Sequence, residues 1–366
     1  MNLSQTVISG VESAVFTLRE LYGRYGYTPY KMNKFEEYDL YVRNKDFLIS
    51  DSIITFTDTN GKLMALKPDV TLSIVKNSRD SEGVQKVYYN ENVYRVSEGT
   101  HAFREIMQAG IECIGDVDEY CLYEVLKLAA ESLQSIAAGW VLNISHLGVV
   151  SAMLETLSVP EALHGDVFRA IGEKNLHELT ALCNQYGIDG EKLGQLITVY
   201  GAPSAVLPQL RVLLGECEAL AQLERVMAVF VGTPFESHLR IDFSVISNTK
   251  YYNGFTFKGF VQGVPDSVLS GGQYDNLMRK IGRRDGAVGF AVYLDMLEQL
   301  HAPMSDDADG ILLYGDEDIA TVSRAVETLT AEGARVIAAR VLPPKCRAKH
   351  VWKLEQGEVK RIENDA

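Results

Sequence analysis

Apolar residues recur every three or four positions in two stretches of the chain, and this spacing predicts two amphipathic helices. In residues 7–25 the apolar positions are Val11, Ala14, Val15, Leu18, Leu21 and Tyr22. In residues 120–138 they are Leu122, Val125, Leu126, Ala129, Leu133 and Ile136. Because an apolar helix face must cover a core, we expect the second helix to pack on a sheet.

Extended segments follow the first helix. Residues 53–57 and 62–66 flank the dipeptide Asn60-Gly61, which favours a two-strand hairpin. Pro68 ends the second strand, and Asp69 is placed to cap a short helix that runs through Thr71. The pattern predicts further strands at residues 27–32, 85–89, 92–95, 103–112 and 141–144.

Residues 147–235 differ in kind, since they are rich in Leu, Ala and Glu and show little strand alternation. We interpret them as an inserted helical unit. Strand patterns resume at residues 238–247 and 254–261. Ser270-Gly271-Gly272 predicts a turn before a helix from Tyr274, and residues 288–300 indicate a strand or loop that leads into a helix.

The acidic, apolar-poor stretch 301–310 (HAPMSDDADG) predicts a linker between domains. We therefore divide the chain into a core of residues 1–305 and a small α/β domain of residues 309–366. The second domain is predicted to contain a helix over 319–331 and a hairpin over 351–362 that turns at Gln356-Gly357. These elements together predict an α+β fold.

Composition narrows the class of protein. The chain has 366 residues, 46% of them hydrophobic and 23% charged, which is ordinary for a globular protein, and no apolar run is long enough to cross a bilayer. The first residues lack the pattern of a signal peptide, so we expect a cytoplasmic protein without membrane contact. The net charge of −14 opposes nonspecific attraction to nucleic-acid phosphates.

Common catalytic and metal-binding patterns are absent from the sequence: it has no phosphate-binding loop, no nucleophile elbow, and no pair of histidines or cysteines at metal-ligand spacing. We predict no catalytic residue, no metal and no cofactor. Three polar residues, Asp69, Gln108 and Glu112, are predicted at or near strand ends, and the last two share one strand face. They either brace the strands or converge on one small polar ligand.

An ordered series of short motifs favours the second alternative, in which these residues converge on one ligand. It consists of residues 66–71 (LKPDVT), 94–95 (YR), 103–112 (FREIMQAGIE), 251–254 (YYNG), 271–275 (GGQYD) and 289–291 (GFA). This series resembles the histidyl-tRNA synthetase family of class II aminoacyl-tRNA synthetases, from the first helix to about residue 300. The helical unit falls where that family carries an insertion. The resemblance implies an antiparallel sheet flanked by helices, and a dimer formed around residues 29–41.

The resemblance also implies a pocket for free histidine. The positions that match the family's histidine-binding residues are Asp69, Thr71, Gln108, Glu112 and the paired tyrosines Tyr251 and Tyr252. Arg95 matches the first arginine of the second class motif, where a guanidinium can bind a carboxylate or a phosphate. Carboxylates beside an amide suit a ligand whose imidazole and ammonium groups donate hydrogen bonds.

Three departures concern the cations that bind ATP in the family. Residues 247–250 read SNTK where synthetases have arginine-glycine-leucine-aspartate, so Ser247 replaces an arginine. Met296 replaces the arginine of the third class motif, and Gln273 replaces that of the glycine-glycine-arginine-tyrosine element. Loss of charged partners should weaken triphosphate binding by about 1.5–3 kcal/mol for each hydrogen bond. Adenylate formation is therefore not expected.

The second domain is predicted to be a truncated version of the family's anticodon-binding domain, so we expect no tRNA recognition. A chain with the amino-acid pocket but without these contacts resembles the paralogue that is the regulatory subunit of ATP phosphoribosyltransferase. The resemblance implies a homodimer within a hetero-oligomer with the short-form catalytic subunit, and histidine feedback on the first step of histidine biosynthesis. Two alternatives remain: a divergent active histidyl-tRNA synthetase, and a synthetase-like sensor of another amino acid.

Overall fold

Nine strands form a large sheet in the first part of the chain. The computed structural model describes residues 10–43, 53–78, 83–97, 100–246, 251–283, 285–297, 308–331, 333–343, 346 and 348–362. The chain separates into two units, residues 1–300 and residues 301–366.

The strands of the first unit are β1 (Thr28–Pro29), β2 (Phe35–Glu37), β3 (Thr55–Thr57), β4 (Leu63–Leu66), β5 (Val84–Val96), β6 (Phe103–Gly115), β7 (Trp140–His146), β8 (Tyr200–Gly201), β9 (Leu239–Asp242), β10 (Phe255–Val261), β11 (Leu269–Gln273) and β12 (Gly286–Tyr293). The large sheet has the order β1-β5-β6-β12-β11-β10-β7-β9-β8. Its central pairs are antiparallel, whereas β1 with β5 and β7 with β9 are parallel. A separate small sheet has the order β2-β4-β3 and contains the predicted Asn-Gly hairpin.

The helices of this unit are α1 (Gly10–Arg24), α2 (Tyr38–Val42), α3 (Thr71–Asn77), α4 (Glu119–Ile136), α5 (Leu147–Thr156), α6 (Glu161–Gly172), α7 (Leu176–Tyr186), α8 (Glu191–Thr198), α9 (Pro203–Leu214), α10 (Glu218–Ala228), α11 (Asp275–Lys280) and α12 (Leu294–Leu297). The long amphipathic helix α4 begins and ends within two residues of its predicted limits. Asp118 caps it by accepting a hydrogen bond from the Cys121 amide at 2.9 Å.

The two faces of the large sheet have different environments. Ile111, Phe257 and Phe290 lie in the main core together with the buried face of α4, including Leu122 and Leu126. Because neighbouring residues of a strand point to opposite faces, the alternate positions of the same strands face away from α4.

Helices α5 to α10 occupy residues 147–228, as the composition of this stretch predicts. Their buried leucines, among them Leu154, Leu196, Leu210 and Leu223, join the main core. The short strand β8 lies within the stretch and pairs with β9 at the edge of the sheet, an element that the sequence pattern did not predict.

Several predictions of local structure are wrong. Residues 85–89 and 92–95 form one continuous strand, β5, because Asn90 and Glu91 stay paired with Ala109 and Gln108 of β6. Ser270, Gly271 and Gly272 form strand β11 in the middle of the sheet rather than a turn. Glycine suggested a break there, but it is suited to the middle of the sheet because the adjacent strands and the Tyr252 ring approach it closely.

Gln108 and Glu112 also lie away from the predicted strand ends, since both occupy the interior of β6. Their shared face is as predicted. Asp69 lies just before α3, and its carboxylate accepts a hydrogen bond from the Leu72 amide at 2.8 Å, which is the predicted cap.

The second unit contains β13 (Ala308–Leu313), α13 (Ile319–Ala331), β14 (Val336–Ala339), β15 (Ala348–Glu355) and β16 (Glu358–Ile362), with the sheet order β14-β13-β15-β16. The helix has its predicted limits, and β15 and β16 form the predicted hairpin. Leu312, Ala325 and Leu354 are its buried core.

Candidate functional site

Small residues line the face of the large sheet opposite α4. Glu112 of β6 pairs with Gly289 of β12, which in turn pairs with Gly272 of β11. One step along the same face, Gly110 pairs with Ala291, and Ala291 with Ser270. Because these residues have short side chains or none, a space remains above the centre of the sheet.

A cavity of ≈ 400 Å³ fills this space, which is within the range for small-molecule sites. Its polar and charged lining combines two carboxyl groups, an amide, two cations and four tyrosines. These residues are Asp69, Glu112, Gln108, Arg95, Lys258, Tyr251, Tyr252, Tyr274 and Tyr293.

Glu112 is the most constrained acid of the cavity. It is 2% exposed, it accepts a hydrogen bond from the Thr71 hydroxyl at 2.6 Å, and its other oxygen accepts one from the Tyr274 hydroxyl. Burial raises the pKa of Glu112 to about 8, although both hydroxyls oppose this by stabilising the carboxylate. The carboxyl group is therefore largely protonated at neutral pH.

Asp69 and Arg95 lie together at the start of α3. Burial raises the pKa of Asp69, against the stabilising effect of the Leu72 amide and the Arg95 charge. Arg95 is fixed by donating from Nε to the Pro68 carbonyl at 3.1 Å. An acid and a cation thus border the same side of the cavity.

The hydrogen bonding of the Gln108 side chain indicates a binding site rather than a brace between strands. Its side chain is buried, lines the cavity and has no hydrogen-bond partner among the residues that the structure describes. A buried amide normally makes hydrogen bonds. One that faces an open cavity therefore offers its donors and acceptor to a ligand.

Three tyrosines cover the cavity. The rings of Tyr251 and Tyr252 meet edge to face with centroids 4.7 Å apart, and Tyr274 lies 5.5 Å from Tyr251. Burial raises the pKa of Tyr274, so its hydroxyl stays protonated and donates to Glu112. The aromatic cluster excludes solvent and leaves hydroxyl groups near the acids.

Two glycines are required by close approach. A Cβ at Gly289 would lie 1.9 Å from Glu112 Oε2 and 2.4 Å from the Ile111 carbonyl oxygen. A Cβ at Gly272 would lie 2.6 Å from the Tyr252 ring. The motif glycines therefore let the acid and the tyrosine lie flat against the sheet.

Of the three positions predicted to have lost an arginine, two lie within the described residues. Gln273 donates to Asp275 at 2.8 Å, and Met296 packs against the main core, so neither brings a cation to the cavity. Ser247 lies outside the described residues.

The structure thus brings together all seven residues predicted to contact the ligand, with Thr71 reaching the group through Glu112. Sequence reasoning missed Lys258 and the bond from Tyr274 to Glu112. Tyr274 belongs to the quoted GGQYD motif, so its position was signalled although its role was not. The sequence contains only a weak indication for Lys258: it lies two residues after Thr256 in β10, so the two polar side chains share one face of the strand.

Comparison with known proteins identifies the protein family of this chain. The sequence pattern that defines the family "Histidyl-tRNA synthetase" matches residues 5–297. The chain belongs to the histidyl-tRNA synthetase family. The α+β fold predicted from the motif series is confirmed, because solved members of the class have the same architecture.

The relatives of this family member carry two kinds of name. An ATP phosphoribosyltransferase regulatory subunit of Oceanobacillus iheyensis is 28% identical over 305 residues, covering 79% of this chain and 75% of the relative. A histidine–tRNA ligase of Methanocaldococcus jannaschii is 26% identical over 346 residues, covering 90% and 82%. Overall identity therefore does not separate the two activities.

Two solved structures share the fold. A protein of Bacillus halodurans, described as an ATP phosphoribosyltransferase regulatory subunit/histidyl-tRNA synthetase, has a TM-score of 0.73 at 23% identity, over 90% of this chain and 88% of that one. A chain of an ATP phosphoribosyltransferase complex from Thermotoga maritima has a TM-score of 0.63 at 20% identity, over 78% and 97%.

The described residues contain no group of three or more His, Cys, Asp or Glu side chains placed to hold a metal ion. None of the helices in the same part of the chain combines the length and the apolar character needed to span a membrane.

Proposed function

We propose that this chain binds free histidine in the cavity and acts as the non-catalytic regulatory subunit of a short-form ATP phosphoribosyltransferase. The observation that carries the proposal is the cavity itself. Buried Gln108 and Glu112 face it from one strand, and Gln108 has no partner within the described part of the chain. The names of the relatives supply the partner enzyme.

Histidine suits this lining chemically. Its ammonium group and imidazole N–H donate hydrogen bonds, which Asp69 and Glu112 can accept, while the Gln108 amide can donate or accept. A charge-assisted hydrogen bond to a desolvated carboxylate is stronger than one between neutral groups. The buried acids therefore favour a ligand with a cationic end.

The same cavity is poorly suited to adenylate formation. Its described lining contains only two cations, Arg95 and Lys258, and the Gln273 and Met296 side chains point to other partners. Stabilisation of the charge that develops during phosphoryl chemistry needs cations fixed at the reacting groups. We therefore infer that the chain neither activates histidine nor charges tRNA.

Regulation requires that histidine bind one state of the assembly more tightly than another. Glu112 provides a connection, because its hydrogen bond to Thr71 ties the cavity to the first turn of α3. Ligand contacts at Glu112 would change the constraint on α3. The proposal requires that the bound catalytic subunit respond to this change.

A homodimer within the hetero-oligomer is part of the proposal. The small sheet β2-β4-β3 exposes Phe35, Phe56 and Leu63, and the two phenylalanine rings meet edge to face at 5.2 Å. An exposed apolar cluster of this kind is typical of a protein contact. Phe35 of this cluster lies within residues 29–41, the predicted dimer segment.

Calorimetry tests the pocket. Titration of the purified chain with L-histidine should give a one-site isotherm that Glu112→Ala abolishes. Adding the chain to a short-form ATP phosphoribosyltransferase should then raise its activity and make it sensitive to histidine. If millimolar histidine produces no heat, or the partner enzyme is unaffected, the proposal is wrong.

An active histidyl-tRNA synthetase is the second candidate, favoured by the match to the Methanocaldococcus jannaschii ligase over 90% of this chain. Histidine-dependent exchange between ATP and pyrophosphate distinguishes it, and we expect none.

A sensor of a different amino acid is the third candidate. A thermal-shift screen of the twenty amino acids separates it, because a ligand that binds the native state raises the melting temperature.

A further inference from the structure

A carboxyl group and an ammonium group line the cavity from different strands. Glu112 is on β6, and Lys258 is on β10, three strands away across the sheet. Neighbouring strands lie about 4.8 Å apart, so the two backbones are separated by roughly 14 Å. The intervening strands β12 and β11 carry Gly289, Gly272 and Ser270 on this face, and the Tyr252 ring and the Tyr293 hydroxyl lie over the last two of these residues.

Lys258 differs from the other lysines in the interior of this unit. Lys67 pairs with Glu91 at 2.8 Å, and Lys86 pairs with Glu124 at 2.6 Å. Lys258 is half-buried and lines the cavity, yet it makes no ion pair or hydrogen bond within the described residues. A charge removed from water without a partner is unfavourable, so an anion is expected beside it.

The neighbours of Lys258 on the sheet do not use its charge. Ser270 on β11 is hydrogen-bonded to Tyr293 at 2.7 Å. Asn143 on β7 has a buried side-chain oxygen without a partner among the described residues, although it lies directly across the strand pair. Within the described residues, the ammonium group of this cavity-lining lysine therefore has no protein partner.

We propose that Lys258 binds the carboxylate of the amino acid whose cationic groups lie against Asp69 and Glu112. This inference rests on the proposed function, and it adds a specificity residue on a different strand that lines the same cavity. An amino acid has separated positive and negative groups, which match this arrangement of charges. Arg95 is a weaker candidate, because its charge already acts on the neighbouring carboxyl group of Asp69.

The test compares L-histidine with histamine, which lacks the carboxylate, by calorimetry on the full chain. The wild type should bind histidine about 10- to 100-fold more tightly, as expected for one charged hydrogen bond. In Lys258→Met the histidine affinity should fall to that of histamine, while histamine binding is unchanged. Unchanged histamine binding also shows that the variant is folded.

Two further variants serve as controls. Lys258→Arg should retain part of the preference for histidine. Lys192→Met, which removes one lysine from α8 in the helical unit, should retain all of it. If Lys258→Met keeps the wild-type ratio of the two affinities, the carboxylate lies elsewhere and the inference is wrong, while the histidine pocket stands. If the wild type binds neither ligand, the proposed function fails as well.

Discussion

The Thr71 hydroxyl donates to the Glu112 carboxyl group at 2.6 Å, and so joins the first residue of α3 to the interior of β6. The two residues are 41 positions apart in the chain. Asp69 caps the same helix two residues earlier. Protonation or ligand contact at Glu112 therefore acts on the segment that holds the second acid of the cavity.

Glu112 should make the protein, unfolded without added histidine, less stable as the pH rises. Its pKa is raised from 4.5 to about 8 by burial, so its contribution to stability is fully present below pH 4.5 and is lost as the pH rises through 8. Each pKa unit corresponds to about 1.4 kcal/mol, which sets a limit of a few kcal/mol. Urea unfolding of wild type and Glu112→Gln between pH 5 and pH 9 measures this change in the free energy of unfolding. The variant should lose less stability over this range, and parallel curves would contradict the prediction.

Histidine binding should release a proton near pH 7. A cationic ligand group beside Glu112 favours its ionised form, so affinity should increase between pH 6 and pH 8, by up to about tenfold per unit. Titrations in buffers of different ionisation enthalpy give the number of protons. The ligand imidazole itself titrates near 6.5, so Glu112→Gln is the reference. Equal proton release by wild type and variant would show that Glu112 does not ionise.

Gly289→Ala should disrupt the cavity. The new methyl group would lie 1.9 Å from Glu112 Oε2, so the carboxyl group and the β12 backbone must move apart. We expect a loss of stability of about 1–3 kcal/mol and loss of histidine binding. The matched control is Gly165→Ala in α6, where no atom lies within 4 Å and alanine should stabilise the helix by about 0.5–1 kcal/mol. Normal histidine affinity in Gly289→Ala would contradict the placement of Glu112.

The Lys67–Glu91 pair should be essential for stability. Lys67 is completely buried, and burial lowers its pKa against the attraction of Glu91. Glu91→Gln leaves this charge without its partner, at a cost of about 3–5 kcal/mol. Glu37→Gln is the control, because Glu37 pairs with Lys62 at 3.0 Å on the surface, where such pairs contribute about 0–1 kcal/mol. Urea unfolding of both variants at pH 7 measures the difference, and equal losses would refute the prediction.

The small sheet should mediate self-association. Phe35→Asp places a charge in its exposed apolar cluster and should convert a dimer to a monomer in sedimentation experiments. Val212→Asp on α9 is the control, since Val212 is equally apolar and 89% exposed. If both variants sediment like the wild type, the dimer does not form through Phe35.

Local sequence patterns predicted the helices well. The limits of α4 follow from its apolar spacing, and α13 has its predicted ends. The patterns failed in the centre of the sheet, where Glu91 continues β5 by pairing with Gln108, and where Gly272 belongs to β11. In both cases cross-strand pairing overrode the local preference of the residue.

Ordered motifs and apolar periodicity are properties of the linear chain, so the family, the α+β class and the residues predicted to bind a ligand could be inferred without the fold. Three properties of the site required the fold: Gln108 has no hydrogen-bond partner among the described residues, burial raises the pKa of Glu112 to about 8, and Lys258 lines the same cavity. These properties depend on which strands lie side by side and on how much water they exclude. Neither the pairing of distant strands nor the loss of solvent is encoded in residue spacing alone.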